Sequence, residues 1–322
     1  MTSIRSTKTA VMEKWSDGIV EPRFRHSSTP IFHDSNIPMQ VIERIAEMQD
    51  WSEHAWREGS RIVLVPTMGF LHEGHLRLVR DGKRRGNRLV VSIFVNPKQF
   101  SPNEDYTGYP RDFSRDQSLL EREGVDVLFH PSAGEMYPDG NRTHVEVEEL
   151  SGRLCGASRP GHFRGVATVV AKLLNIVRPH VAVFGQKDFQ QLQIIRRLVL
   201  DLNLGVEIVA HPTVREKDGL AMSSRNAYLN AKERQAAVSL SRSLKLAACL
   251  VRSGERRAER LLAAVRSEID KEACARIDYV ELCDPQSLQP VAAVEGPTLL
   301  ALAVWLGRAR LIDNTILDPR AS

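Results

Sequence analysis

Hydrophobic and polar positions along this chain follow two different spacings, and the changes between them mark the elements. From Met39 onward apolar residues recur at helical spacing (Val41, Ile42, Ile45, Met48, Trp51), which predicts an amphipathic helix. The run Arg61-Ile-Val-Leu-Val65, closed by Pro66, is continuously apolar, as expected of a strand buried on both faces. Comparable runs predict further strands at 89–95, 125–129, 181–184 and 206–210, with helices at 73–85, 112–123, 166–177 and 188–202 between them. Strands separated by helices in this order imply βαβ units and a doubly wound parallel α/β sheet.

The pattern changes after residue 212. Helices at 231–252 and 257–272 are followed by strands at 276–282, 298–305 and 310–317, which predicts a smaller C-terminal α+β domain. The expected organisation is therefore a sheet domain over 37–212 and the smaller domain over 213–322. Residues 1–36 are polar and aperiodic, so a flexible extension is expected there, with Met39 as an alternative start of the chain.

Composition narrows the class. The chain has 322 residues, 42% hydrophobic and 26% charged, with a net charge of +4. These values exclude a disordered, collagen-like or coiled-coil protein, and no long basic block marks a nucleic-acid binder. No apolar run is long enough for a membrane span, and no signal-type segment follows Arg5 and Lys8, so a cytoplasmic protein is expected. Cys155, Cys249, Cys274 and Cys283 match no zinc spacing and are expected to be buried or half-buried free thiols.

In open parallel sheets ligands bind at the carboxyl ends of the strands. Four polar or glycine-containing loops follow the predicted strands: 66–75, 96–100, 185–188 and 211–226. In the first, His72 and His75 lie three apart at a helix start, where free N–H groups and the helix dipole favour phosphate. Two imidazoles there can donate hydrogen bonds to a phosphoryl group, or they can simply cap the helix; zinc would lack a third ligand. Gly74 leaves room for a nucleotide. Lys187 can neutralise polyphosphate, Ser223, Ser224 and Arg225 can clamp pyrophosphate, and the neutral amides of Gln99 and Gln191 can orient a carboxylate that must remain nucleophilic. Arg159-Pro-Gly-His-Phe-Arg164 reads either as a basic lid or as an ordinary helix-entry loop. P-loop, Gly-x-Gly-x-x-Gly and Gly-x-Ser-x-Gly motifs are absent.

Four segments, Pro66-Thr-Met-Gly-Phe-Leu-His-Glu-Gly-His75, Phe94-Val-Asn-Pro-Lys-Gln-Phe100, Gly185-Gln-Lys-Asp-Phe-Gln-Gln191 and Met222-Ser-Ser-Arg-Asn226, closely resemble those of the pantoate–β-alanine ligase family. With the closing Gly307-Arg-Ala-Arg-Leu-Ile-Asp-Asn314, the resemblance runs over about 37–318. It implies a Rossmann-like domain with a C-terminal lid, and an ATP-dependent condensation of pantoate with β-alanine through pantoyl adenylate. Carried over, it places ATP along Met68, Gly69, Phe70, Leu71, His72, Glu73, Gly74 and His75, then Gly185, Gln186, Lys187, Asp188, Val214, Met222, Ser223, Ser224 and Arg225. His75 would be the proton donor, assisted by His72, with Lys187 and Ser223 to Arg225 on the phosphates. Gln99 and Gln191 would hold pantoate, Gln99 would also lie near β-alanine, and Asn96 would be a further contact. Mg²⁺ would accompany ATP; its protein ligands stay open, with Asp116 the nearest candidate. A homodimer is implied, with neither nucleic acid nor membrane as partner. Gln99 and Gln191 set this reading apart from a nucleotidylyltransferase with a phosphate acceptor, which would call for Arg or Lys there. Intact His72, His75, Lys187 and Arg225 argue against an idle, partner-binding relative.

Overall fold

The computed structural model describes residues 38–102 and 104–320, which belong to one compact unit of the chain. The extension expected at 1–36 lies outside the described residues. The first half carries β1 (Gln40–Ile42), α1 (Ile45–Arg57), β2 (Ile62–Thr67), α2 (Glu73–Lys83), β3 (Arg88–Ile93), α3 (Phe113–Glu123) and β4 (Val127–Phe129). After the short helices α4 (Ala133–Met136) and α5 (Cys155–Ser158) come α6 (His162–Val177), β5 (Val181–Gly185), α7 (Phe189–Asp201) and β6 (Glu207–His211). The remainder is α8 (Ala231–Ala236), α9 (Val238–Arg252), α10 (Ala258–Ile269), β7 (Ala275–Cys283), β8 (Thr298–Leu306) and β9 (Ala309–Leu317).

The six strands β1 to β6 form a parallel sheet in the order β1-β4-β3-β2-β5-β6. Alternate residues of one strand serve opposite cores. Ile62 and Leu64 of β2 pack with α1, α6 and α7, whereas Val63 and Val65 pack with α2 and α3. This two-sided burial is what the continuous apolar runs demanded. The chain first builds outward from β2 to β3 and then crosses to β5 on its other side, so the order reverses at β2. The loops after β2 and β5 therefore lie side by side at the carboxyl edge, where such sheets open a crevice.

The strand β1 was not expected. Residues 40–42 pair with β4, so the helix predicted from Met39 begins only at Ile45. The predicted helix at 231–252 divides at Ala237. Asn230 caps α8 by accepting from the amides of Lys232 and Glu233, while the Glu233 carboxylate accepts the amide of Asn230.

Strands β7, β8 and β9 form an antiparallel sheet in that order. One face packs on α9 and α10 through Leu300, Leu302 and Val304 against Leu244, Leu261 and Val265. The other carries Cys283, Leu299 and Ala301 into the same cluster as Phe163 and Phe189. The C-terminal sheet thus shares a core with the larger one. All four cysteines are free, but only Cys155 and Cys283 are buried. Cys249 and Cys274 are exposed, contrary to expectation, because they fall on the outward side of α9 and in the turn after α10. Among the described residues no helix is long and apolar enough to cross a membrane.

Candidate active site

At the end of β2 the backbone turns sharply. Gly69 and Phe70 have positive φ values of 79° and 49° in succession, the second being strained for a residue with a side chain. Asp116 holds this turn. Its Oδ1 accepts the Leu71 amide at 2.8 Å, and Arg115 stacks over the Phe70 ring, 5.5 Å from its centroid. A Cβ on Gly69 would stand 3.0 Å from Ile93 and 3.2 Å from the Asp116 carboxylate. Asp116 is 1% exposed and does not line the cleft. Burial pushes its carboxyl above the usual range, against the hydrogen bonds from Leu71 and Phe70. The metal candidate read from sequence is thus a loop anchor behind the site.

The turn delivers His72 and His75 to the first turn of α2, with ring centroids 4.1 Å apart. His72 Nδ1 accepts the Gly74 amide at 3.1 Å, and His75 Nδ1 accepts the His72 amide at 3.3 Å. The pair therefore does cap the helix, but only with one nitrogen each. A neutral imidazole whose Nδ1 accepts carries its hydrogen on Nε2. Burial, and next the Lys187 ammonium, lower His72 to about 4; burial and then His72 hold His75 well below its ordinary value. Both rings are neutral at pH 7, with Nε2–H available as a donor.

Both line an open cleft at the carboxyl edge of the sheet. Of the sequence candidates, Met68, Gly74, Asn96, Gln99, Gly185, Lys187, Asp188, Gln191, Val214, Met222, Ser223, Ser224 and Arg225 also line it. Gly69, Phe70, Leu71, Glu73 and Gln186 do not. Leu71 is buried, and Glu73 turns to Arg77 and Arg80 at 2.9 and 2.6 Å. Lys187 Nζ stands 3.7 Å from Asp188, directly before the N-terminus of α7. Ser223 caps the short helix 224–228, Ser224 Oγ donates to the Phe70 carbonyl at 3.3 Å, and Arg225 reaches Asp105 at 3.2 Å.

Gln99 is 9% exposed, and Arg159, which donates to its carbonyl at 3.3 Å, is held by Glu104 through bonds of 2.5 and 2.6 Å. His162 Nδ1 donates to the Gln99 carbonyl at 2.8 Å. Burial, with Arg159 beside it, lowers His162 to about 4. Arg159 and His162 of the basic segment thus brace the Gln99 loop, a role that neither reading assigned. A second cavity continues from the cleft through Lys187, Asp188, Gln191, Ser223 and Arg225 toward the C-terminal sheet.

Sequence reasoning missed the residues that hold these loops from afar. Asn314 Nδ2 donates to the carbonyls of Gln186 and Lys187 at 3.2 and 2.8 Å, and Asp313 grips Arg215 at 2.6 and 2.9 Å. Tyr137 bonds Asn96. The closing Ile-Asp-Asn314 run was the one signal for the first two; nothing local marks Tyr137.

A doubly wound sheet that sets two neutral imidazoles at a helix start, beside a lysine and in one cleft with a Ser-Ser-Arg turn, defines a nucleotide-handling α/β enzyme of the His-x-Gly-His type. The comparisons are specific. A family model for pantoate–beta-alanine ligase matches residues 40–316. A pantothenate synthetase of Thermotoga petrophila is 56% identical over 279 residues, covering 87% of this chain and all (100%) of that one. One from Heliobacterium modesticaldum is 58% identical over 280 residues, with coverage of 87% and 100%. The crystal structure of pantothenate synthetase from Thermus thermophilus superposes with a TM-score of 0.83 at 43% identity, covering 87% and 100%. That of the Francisella tularensis ligase, complexed with beta-gamma ATP and beta-alanine, gives 0.72 at 34% identity, covering 88% and 99%. The chain belongs to the pantoate–β-alanine ligase family and is a pantothenate-forming ligase.

Proposed function

We propose that the cleft carries out this ligation in two steps. A pantoate carboxylate oxygen attacks the α-phosphorus of ATP, and the bond to the β,γ-diphosphate breaks, giving pantoyl adenylate. The β-alanine amine then attacks the acyl carbon, the acyl–phosphate bond breaks, and pantothenate and AMP leave. The observation that carries this reading is the pairing of donors and amides in one cleft. His72 and His75 offer Nε2–H groups beside Lys187, and the same cleft presents the uncharged Gln99 and Gln191. Donors aimed where phosphoryl charge grows favour the transition state. Neutral amides orient the attacking carboxylate without neutralising it, so it stays nucleophilic.

In this reading Met68, Gly74, Gly185, Val214 and Met222 form the nucleotide wall. Lys187, Ser223, Ser224 and Arg225 hold the phosphates. Gln99 and Gln191 orient pantoate, with β-alanine arriving near Gln99. Mg²⁺ enters as the counter-ion of the nucleotide substrate. Among the described residues no group of three His, Cys, Asp or Glu side chains is placed to hold a metal, so phosphate oxygens and water supply most of its ligands. Residues 37–212 carry the imidazoles, Lys187 and both glutamines, and 213–322 add Ser223, Ser224 and Arg225 and cover the cleft. The enzyme is read as a cytoplasmic homodimer, with sedimentation over a range of concentrations as the check.

The test is exchange of labelled pyrophosphate into ATP. Exchange that requires pantoate but not β-alanine is expected; exchange driven by a different acid, or none with folded protein, would refute the reading. Lys187→Ala should raise the KM for ATP at least tenfold, the loss of one charged hydrogen bond, while the KM for pantoate changes little. Equal changes in both would remove Lys187 from the phosphate site.

A further inference from the structure

The carboxamide of Asn96 has no free hydrogen-bonding group with which to meet a substrate. It is 1% exposed. Its Oδ1 accepts the Lys98 amide at 3.2 Å and the Tyr137 hydroxyl at 2.8 Å. Its Nδ2 donates to the Gly165 carbonyl at 3.1 Å and to Gln99 Oε1 at 3.0 Å. Two of these partners are backbone groups of fixed polarity, an N–H on one side and a C=O on the other. Turning the amide over would set N–H against N–H and C=O against C=O, so its orientation is determined.

That orientation passes to Gln99. Asn96 thereby fixes which atom of Gln99 is oxygen and which is nitrogen, and Nε2 is left with only the Met68 sulfur at 2.9 Å, a weak acceptor that a substrate oxygen can replace. We propose that Tyr137 and Asn96 are positioning residues that fix Gln99 as a hydrogen-bond donor toward the acid substrate. The bonds run one way: Tyr137 O–H to Asn96, Asn96 N–H to Gln99, Gln99 N–H to the substrate. The substrate group met by Gln99 Nε2 is therefore an acceptor, a carboxylate or hydroxyl oxygen. Burial raises the Tyr137 hydroxyl far above its ordinary value, so it remains protonated and donating at working pH. Its ring is fixed independently of the hydroxyl, 6.1 Å from the Phe94 ring and under the Lys98 ammonium at 4.4 Å.

This inference deepens the proposed reaction and rests on it. Tyr137→Phe keeps the ring and its packing and removes only the O–H. The expected result is a KM for the acid about fivefold to tenfold higher, the equivalent of one neutral hydrogen bond, with the KM for ATP unchanged and the melting midpoint lowered by about a few degrees at most. The decisive measurement is a double-mutant cycle with Gln99→Ala, using calorimetric titration of the acid where turnover is too slow. Tyr137→Phe should have no further effect on acid affinity once Gln99 is gone. A full additional loss in that background, or equal shifts in the KM values for acid and ATP, would overturn the relay. The cycle is run with whichever acid drives pyrophosphate exchange. Failure of pantoate itself therefore refutes the reaction, and failure of the coupling refutes the relay.

Discussion

Replacing His75 by alanine is expected to slow pantoyl-adenylate formation by about 10²–10³-fold, the effect of losing one preorganised donor to transition-state charge. The expectation follows from the tautomer. His75 accepts the His72 amide through Nδ1, which leaves Nε2–H as its donor on the cleft. Because the ring is neutral in the free enzyme, the loss is of a hydrogen bond and not of a cation. The pH dependence distinguishes the two. His72 titrates near 4 and His75 well below its ordinary value, both chiefly through burial. Between pH 5 and 8 neither ring changes charge in the free enzyme, so kcat/KM should show no inflection at the ordinary histidine value of about 6.5. Lowering the pH toward 4 protonates His72 and takes away the lone pair that accepts the Gly74 amide, so activity should fall there. An inflection near 6.5 that His75→Ala abolishes would show that the imidazolium is the working form. Bound polyphosphate adds negative charge nearby and raises both rings, so the kcat profile should shift to higher pH than that of kcat/KM.

Gly165→Ala is the second large effect, and it arises far from the chemistry. A Cβ at this position in α6 would lie 2.2 Å from the Lys98 carbonyl oxygen and 2.8 Å from Gln99 Cα. Both obstacles are backbone, so no side-chain rotation relieves them. The helix must move off the 97–99 turn, and the Asn96 to Gly165 bond, 3.1 Å long, is strained or lost with it. Displacing a substrate-orienting group by about 1 Å costs on the order of 10² in rate, and overpacking destabilises by about 1–3 kcal/mol. We expect kcat/KM for pantoate to fall by about 10²-fold with a melting point several degrees lower. ATP binding, which rests on the loops after β2 and β5, should weaken much less. Unchanged pantoate kinetics would mean that α6 does not set the position of Gln99.

Much of this was legible before any coordinates. The buried strands announced themselves because each is covered on both faces, and loops at the ends of such strands converge whatever their sequence. The failures are local ambiguities or long-range pairings. Residues 40–42 look helical because Val41 and Ile42 extend the periodicity of α1, and a strand of three residues has too few positions to contradict it. The break at Ala237 carries no side-chain cap, and apolar residues continue at helical spacing across it, so nothing local in the sequence marks it. In the site, His72, Lys187 and Gln99 declared themselves by residue type and place. Asp116 misled, because a carboxylate near a phosphate loop suggests a metal until its oxygens are seen on backbone amides. Tyr137 and Gly165 could not be read at all, since the contacts that give them meaning cross 41 and 69 residues of chain.

The grip of Asn314 on the Lys187 carbonyl has a consequence for the order of folding. The residue that steadies the Lys187 loop lies on β9, 127 residues along the chain from it. Formation of the six-stranded sheet sets the imidazole pair in place, yet the Lys187 loop stays untethered until β9 docks. In refolding, recovery of adenylation should therefore follow the docking of β9 and lag behind formation of the large sheet.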